Sequence, residues 1–408
     1  MKKNLQYYKF CLYGFLKNLR FYEPFFILFL LSKDLNFFRI GLLISIREIT
    51  INILEIPTGF IADVAGRRKT LVISFLFYIA SFVIFFLSGS FISMAAAMIL
   101  YGTGDAFRTG THKAMIFDYL EKNEMGHLRV TYYGHTRAWS QTGSAVSSLV
   151  AGIIVVITSN YSFVFLMAVV PYLFNLINVW SYPSWLDQPS GPGDRDKLSY
   201  RDTLRILIGL LRKRGMAKVI INSSSVSGML KSAESYLQPL LLAIAVTLPF
   251  AKGLGEESRS ALLIGVIYFI IYLVTAASSR RSALFTSLAG GESKGMNYTW
   301  LMFVIAAVVT GFLYHTGYQW LALITFILLF SAENIRRPVC VSRIAGEAGS
   351  APLATVISTD SQMKSLFAAV ISPVVGFFAD IAGPGAALAI VFAILLMIYP
   401  LVKVKVER

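Results

Sequence analysis

One apolar run follows another through this chain, each long enough to cross a bilayer and each interrupted by glycine, proline or a knot of charge. Such runs lie near residues 10–31, 38–61, 70–90, 92–117, 135–158 and 161–181, and again near 219–247, 260–277, 297–314, 318–340, 355–380 and 384–402. A membrane-spanning helix needs roughly 20 mainly apolar residues, so these predict about twelve spans. The composition supports this: 56% of the 408 residues are hydrophobic and 14% charged, with a mean hydropathy of +0.65. A soluble domain is nearer ~25% charged, and aqueous cores in a chain of this length would not hide so much apolar surface. The expected fold is an all-α polytopic membrane protein.

The formal net charge of +15 belongs in this setting to cytoplasmic loops, which collect Lys and Arg, rather than to a nucleic-acid partner. With the N-terminus inside, the inner loops receive Lys2, Lys3, Lys9, Arg67, Arg68, Lys69, Lys122, Arg129, Arg280, Arg281, Lys294, Arg343, Lys403, Lys405 and Arg408. The outer loops hold Lys33, Arg39, Lys252 and Arg259. Both termini are therefore expected in the cytoplasm and the chain in the plasma membrane, the inner membrane in a bacterium. No cleavable leader is read at the start. Cys11 and Cys340 both fall in apolar runs and define neither a disulfide framework nor a metal site.

The most polar stretch, 182–218, combines a Pro/Gly loop with a basic segment in which Leu204, Leu207 and Leu211 recur at helical spacing. It reads as a cytoplasmic linker carrying an amphipathic helix between a half at 1–181 and a half at 219–408. Two short repeats tie the halves together. Asp105-Ala-Phe-Arg108 is echoed by Glu333-Asn-Ile-Arg336, and Ser144 to Gly152 by Ala368 to Gly376. Their common order points to an internal duplication of six spans.

A charge in the middle of a spanning helix costs about 2.5–3.5 kcal/mol on insertion scales, so it needs a partner or a cavity. Lys17, Arg20 and Glu23 are spaced i, i+3, i+6 on the first span, with Pro24 following. Glu48, Asn52 and Glu55 share one face of the second. Tyr101, Asp105, Arg108 and His112 form a stripe at i, i+4, i+7, i+11 along the fourth, and Ser227, Lys231, Glu234 and Gln238 one along the seventh, before Pro239. Glu333 and Arg336 sit on the tenth. Asp105 with Arg108, and Glu333 with Arg336, read equally well as structural ion pairs, while Lys113 and Arg337 read as snorkelling cations. Taken together, the stripes predict a hydrated central cavity between two halves.

The join of the second and third spans, Glu55-Ile-Pro-Thr-Gly59-Phe-Ile-Ala-Asp63-Val-Ala-Gly66-Arg67-Arg68-Lys69, resembles the loop motif of the major facilitator superfamily. Gly59, Asp63, Gly66, Arg67 and Arg68 match it, with Val64 in place of a basic residue. The resemblance implies two pseudo-symmetric six-helix halves and a gating role for this loop, in which Asp63 caps a helix start or pairs across the halves. The fifth span is similar to the glycine motif of antiporters in that superfamily at Gly134, Gly143 and Gly152, with Ser147, Ser148 and Ala151 departing from it. That similarity implies export. Met98 stands where the proton-transfer motif of the family has arginine.

The functional expectation is a secondary active transporter working by alternating access on a small polar, anionic organic molecule, proton-coupled and tilted toward export. Efflux of amphipathic compounds, or uptake of an anionic metabolite, are the alternatives. Arg20, Tyr101, Arg108, Lys231, Gln238 and Arg336 are the candidate substrate contacts, since guanidinium groups hold carboxylate or phosphate bidentately. Glu23, Glu55, Asp105, His112, Glu234 and Glu333 are the candidate proton carriers. Tyr22 and Tyr236 are further lining candidates. No metal-protease, nucleophile-elbow or Walker signature is present, so neither an enzyme nor a cofactor is expected. The partners expected are the substrate, protons and lipid, around a monomer.

Overall fold

The computed structural model describes residues 4–187, 205, 208–210, 212–247, 255–347 and 353–405. It is built from helices, and no strand occurs among the described residues. The helices are α1 (Leu5–Lys17), α2 (Phe26–Leu31), α3 (Phe37–Ala65), α4 (Arg67–Leu87), α5 (Phe91–Arg108), α6 (Thr111–Lys122), α7 (Arg129–Thr158) and α8 (Phe163–Trp180). After the linker come α9 (Arg214–Ala233), α10 (Leu237–Thr247), α11 (Glu256–Arg280), α12 (Ser282–Leu288), α13 (Glu292–His315), α14 (Gln319–Glu347), α15 (Leu353–Ala382), α16 (Pro384–Leu396) and α17 (Tyr399–Val402). Most of the amphipathic helix expected in the linker lies outside the described residues.

Among the described residues, six helices are long and apolar enough to cross a membrane by length and composition alone: Arg67–Leu87, Tyr132–Thr158, Phe163–Trp180, Glu257–Arg280, Glu292–His315 and Val356–Ala382. The remaining expected spans fall short for physical reasons. The first is broken between α1 and α2, where Glu23–Phe25 form a 3-10 turn containing Pro24. The seventh is broken in the same way, by the 3-10 turn Glu234–Tyr236 between α9 and α10. Each break starts at a glutamate, which marks the two spans as counterparts. The second and tenth carry several charges, and α16 is short.

The fourth span corrects the sequence reading. Expected as one helix over 92–117, it ends at Arg108, passes through Gly110 at φ +78°, and restarts as α6 at Thr111. Glycine tolerates this left-handed backbone, and a side chain there would be strained. His112 therefore does not continue the helical stripe of Tyr101, Asp105 and Arg108.

The chain divides into two compact units. The first comprises Met1–Phe29, Ile49–Lys197 and Ala251–Phe269, the second Leu30–Glu48, Leu198–Phe250 and Ile270–Arg408. In the first, α4 packs on α5 and α8, and α1 on α7 and α8. Its interior is aromatic, with Phe85 against Phe165 at 4.9 Å and Phe82 against Tyr172 at 4.9 Å between ring centres. Because lipid is as apolar as these rings, van der Waals fit and buried hydrogen bonds hold the helices, not exclusion from water. Side chains of α8 bond carbonyls along α1, the last of them at its unwound end. Tyr172 donates to Lys17 O at 3.1 Å, Asn175 to Tyr13 O at 3.1 Å and Asn178 to Lys9 O at 3.0 Å.

In the second unit α13 packs on α14 and α16, and α9 on α15. A cluster of Leu210, Met216, Ile220, Met296, Val339 and Ile344 joins the end of the linker to this unit. The glycines closing the two similar segments, one in each unit, do equivalent work. A Cβ on Gly152 would meet Ala261 O of α11 at 2.9 Å, and one on Gly376 would collide with the Phe37 carbonyl of α3. Each permits a close helix crossing.

Candidate functional site

Broken helices place polar groups inside the first unit. Where α1 gives way to the 3-10 turn, Arg20 pairs with Glu23 at 3.3 Å and the Tyr22 hydroxyl meets that of Tyr101 on α5 at 2.8 Å. One turn along α5, Asp105 accepts a hydrogen bond from Tyr78 of α4 and pairs with Arg108 at 3.1 Å. Arg108 also donates through Nε to the Tyr78 hydroxyl at 3.0 Å. Arg20, Glu23, Tyr101, Asp105 and Arg108 thus line one partly buried polar belt.

Beside it lies a cavity of about 250 Å³, lined from α1 by Phe10, Tyr13, Gly14 and Lys17, from the end of α5 by Arg108, from α6 by His112 and Lys113, and from α7 by Tyr133, Thr136, Arg137 and Ser140. The lining contains Lys17, Arg108, Lys113, Arg137 and a histidine, and no acidic residue. Lys17 is only 8% exposed, yet its ammonium forms no hydrogen bond or ion pair with a described residue. His112 arrives across the Gly110 break, stacked on Tyr13 at 3.5 Å and within 3.2 Å of the Tyr182 hydroxyl. The same break makes Gly110 the N-cap of α6, with no side chain bonding the first-turn amides. Those amides and the positive end of the helix dipole add to the cationic lining.

The second unit holds the other candidates separately. Lys231 of α9 pairs at 2.6 Å with Glu48, which is fully buried on α3. Glu333 of α14 accepts a hydrogen bond from Ser227, while its Oε2 has no partner among the described residues. Glu333 and Arg336 do not form the ion pair that their spacing allowed. Arg336 is 1% exposed and points elsewhere, donating to Met296 O at 2.7 Å, Thr299 Oγ1 at 3.1 Å, Asn222 Oδ1 at 2.6 Å and Asn222 O. Gln238 and Tyr236 are buried, Tyr236 stacked on Phe37 at 5.5 Å, and Glu234 is exposed. Glu55, half-buried on α3, falls in the first unit, a turn before Thr58, which donates to Ala106 O at 3.0 Å.

The motif-bearing loop differs from expectation in its cap. Asp63 lies within α3, not at the N-cap position of α4. Gly66, at φ +104°, is the N-cap, and the carboxylate comes from Asp187, whose Oδ1 accepts from the amides of Arg68 at 2.8 Å and Lys69 at 3.3 Å. Arg68 Nε lies 3.2 Å from Asp187 Oδ2, and Arg67 forms a buried ion pair with Asp118 of α6. A Cβ on Gly59 would meet nothing within 4 Å, so that glycine is not needed for close approach.

Several charges went unread in the sequence. Asp360 and Lys364 pair at 2.5 Å on α15, Asp360 almost fully buried. Their i, i+4 spacing inside an apolar run was the available signal. In the sequence, spacing marks Lys17 and snorkelling accounts for Lys113, while no local signal marks Arg137. Only folding brings these three to one cavity.

Apolar helices, unwound spans and charge clusters among the described residues mark a polytopic membrane protein. The sequence profile of the Major Facilitator Superfamily matches residues 18–358, and the chain belongs to that superfamily. It is 25% identical over 228 residues to the uncharacterized MFS-type transporter YxaM of Bacillus subtilis (strain 168), an alignment covering 54% of each chain. The chain thus spans about half the length of that curated relative. Solved structures share the fold at low identity. The nucleoside transporter NupG superposes with a TM-score of 0.74 at 14% identity over 98% of both chains, and a D-xylose–proton symporter with 0.66 at 13% over 98% of both. A POT family transporter in complex with a thioalcohol-conjugated peptide gives 0.69 at 12%, over 98% of this chain and 96% of that one.

Proposed function

We propose that this chain is a secondary active carrier for a small organic anion, coupled to protons and working by alternating access, with both termini on the cytoplasmic side. The observation that carries the reading is the acid-free cavity of the first unit, where Lys17, Arg108, Lys113, Arg137 and the amide end of α6 meet. Lys17 is buried there, Arg108 is shared with Asp105, and Lys113 and Arg137 reach the site from exposed positions; cations so gathered favour carboxylate or phosphate and repel amphipathic cations. Its 250 Å³ lies below the ~300–1,000 Å³ usual for drug-sized ligands, which favours a small metabolite over a multidrug substrate.

Asp105 is the proton carrier in this scheme. Its carboxylate shares Arg108 with the cavity, so an anion that draws Arg108 away leaves Asp105 to be neutralised by a proton. The glycine pattern that implied export has a packing explanation at Gly143 and Gly152, so the direction follows the proton gradient and the substrate gradient rather than that motif. Arg336, tied to α9 and α13, holds helices together. The carrier acts as a monomer in lipid and uses no cofactor.

The test is purified protein in liposomes enclosing a pH-sensitive dye, supplied with small carboxylates, phosphates or amphipathic cations. Anion-dependent acidification is expected, with Lys17→Met raising the half-saturating concentration at least about tenfold, a loss of some 1.4 kcal/mol of binding. Asp105→Asn is expected to let substrate exchange without moving protons. Proton movement driven by amphipathic cations alone, or unchanged saturation in Lys17→Met, would overturn the reading.

A further inference from the structure

The cavity of the first unit is more specific than its net charge. Lys17, 8% exposed, has an ammonium with no partner among the described residues. The charges around it are Arg20, Glu23, Asp105 and Arg108. They form two pairs, Arg20 with Glu23 at 3.3 Å and Asp105 with Arg108 at 3.1 Å. Of the helices that wall the cavity, α1 and α7 carry no acid, and the acid of α5 is Asp105. On α6, Asp118 is taken by Arg67, and Glu121 stands about three turns from Gly110. Lys113 and Arg137 add positive charge from exposed positions.

The start of α6 borders the same space through Gly110, His112 and Lys113. Its first intrahelical bond runs from Ala114 N to Gly110 O at 3.0 Å, so the amides of Thr111, His112 and Lys113 precede the ladder. Such amides are usually capped by Ser, Thr, Asp or Asn, but the N-cap here is Gly110. A Cβ on Gly110 would meet nothing within 4 Å, so the place of a capping side chain is open. His112 is stacked on Tyr13, one turn before Lys17 on α1, which fixes the start of α6 against the helix that carries the ammonium.

We propose that Lys17 and the first-turn amides of α6 form a seat for a phosphate group, and that the transported anion is a small phosphate monoester. The inference deepens the anion-carrier reading and rests on it. A monoester phosphate has three acceptor oxygens and about −1.5 to −2 charge near neutral pH. It can therefore bond the ammonium and the amides through different oxygens while its second charge answers the cations at the mouth. A carboxylate offers two oxygens in one plane and a single charge, and leaves part of the seat unfilled. Aligned amides and the helix dipole together are what hold phosphate at a helix start.

The full chain in detergent is titrated near neutral pH with methyl phosphate and with acetate, against sodium chloride at equal ionic strength, while its thermal midpoint is followed. Methyl phosphate is expected to half-saturate at least about tenfold below acetate. Gly110→Ala and Gly110→Asn each put a side chain on the same left-handed backbone, but asparagine brings a neutral acceptor to the amides. The methyl phosphate value of Gly110→Asn is expected at least about fivefold above that of Gly110→Ala. Equal values in the two variants, or acetate bound as tightly as methyl phosphate by the wild type, overturn the phosphate seat and leave the anion carrier standing. No response to either anion in the wild type overturns both, and a response to phosphatidate in the micelle alone then assigns the seat to a lipid headgroup. If the glycine variants do not purify, the wild-type comparison decides.

Discussion

Arg336→Met is expected to destabilise the second unit by about 3–5 kcal/mol, and so to lose fold before it loses transport. Methionine preserves the length and apolar stem but abandons acceptors on two other helices: Asn222 on α9, and Met296 and Thr299 on α13. Each hydrogen bond from a charged donor contributes roughly 1.5–3 kcal/mol, and in this interior no water replaces it. On the scale of soluble domains of 150–250 residues, the loss corresponds to a fall of roughly 6–20 °C in the thermal midpoint. Arg336→Lys should recover little, since one ammonium cannot fork toward both helices. Thermal unfolding and size-exclusion profiles in detergent distinguish the roles. A substrate ligand would give Arg336→Met a normal midpoint and profile with transport alone impaired, which would remove the structural assignment.

The glycines of the fifth span should separate sharply. Gly143→Val is expected to cost about 1–3 kcal/mol and to abolish high-affinity binding in the first-unit cavity. A Cβ at Gly143 would stand 2.5 Å from Phe15 O and 3.1 Å from Phe15 Cα, backbone atoms that cannot rotate aside. α7 must then move off α1, and these two helices supply Tyr13, Lys17, Tyr133, Arg137 and Ser140 to the cavity wall. Gly134 lies on the same helix, but a Cβ there meets nothing within 4 Å. Gly134→Ala should therefore be neutral or stabilising by up to about 1 kcal/mol, as helix propensity dictates. Midpoint measurements and anion titrations on both variants check this. Equal loss of function at the two positions would mean that the pattern works as a transport motif and not through packing.

Much of the architecture was legible because apolar runs and their breakers act locally. Expected spans fall on observed helical segments throughout, and the glutamate–proline signals near Glu23 and Glu234 mark where the first and seventh spans unwind. The fourth span misled because Tyr101, Asp105, Arg108 and His112 fit a helical period that the backbone at Gly110 does not follow. Pairing was the least legible layer. The i, i+3 spacing found Arg20 with Glu23 and Asp105 with Arg108, but gave Arg336 the wrong neighbour. It had no means of joining Glu48 to Lys231, which are 183 positions apart in the chain and 2.6 Å apart in space. The Asp187 cap on α4 was hidden for the same reason.

The unequal apolarity of the spans bears on how such a chain enters the membrane during synthesis. A segment such as Arg67–Leu87, with no acidic residue and a mean hydropathy of 2.5 over its most apolar 18 residues, partitions from the translocation channel into lipid unaided. The α3 segment, carrying Arg47, Glu48 and Glu55 about its middle, does not, since each charge there opposes entry by some 2.5–3.5 kcal/mol. It must wait at the channel until counter-charges arrive, and Lys231 is synthesised only after the whole linker. Glycosylation-tagged segments inserted singly into microsomes should order themselves this way, with 67–87 spanning efficiently and 37–65 poorly; equal insertion would show that α3 needs no help. Biogenesis in this chain is thus a matter of retention, in which early polar helices are held back for partners encoded far downstream.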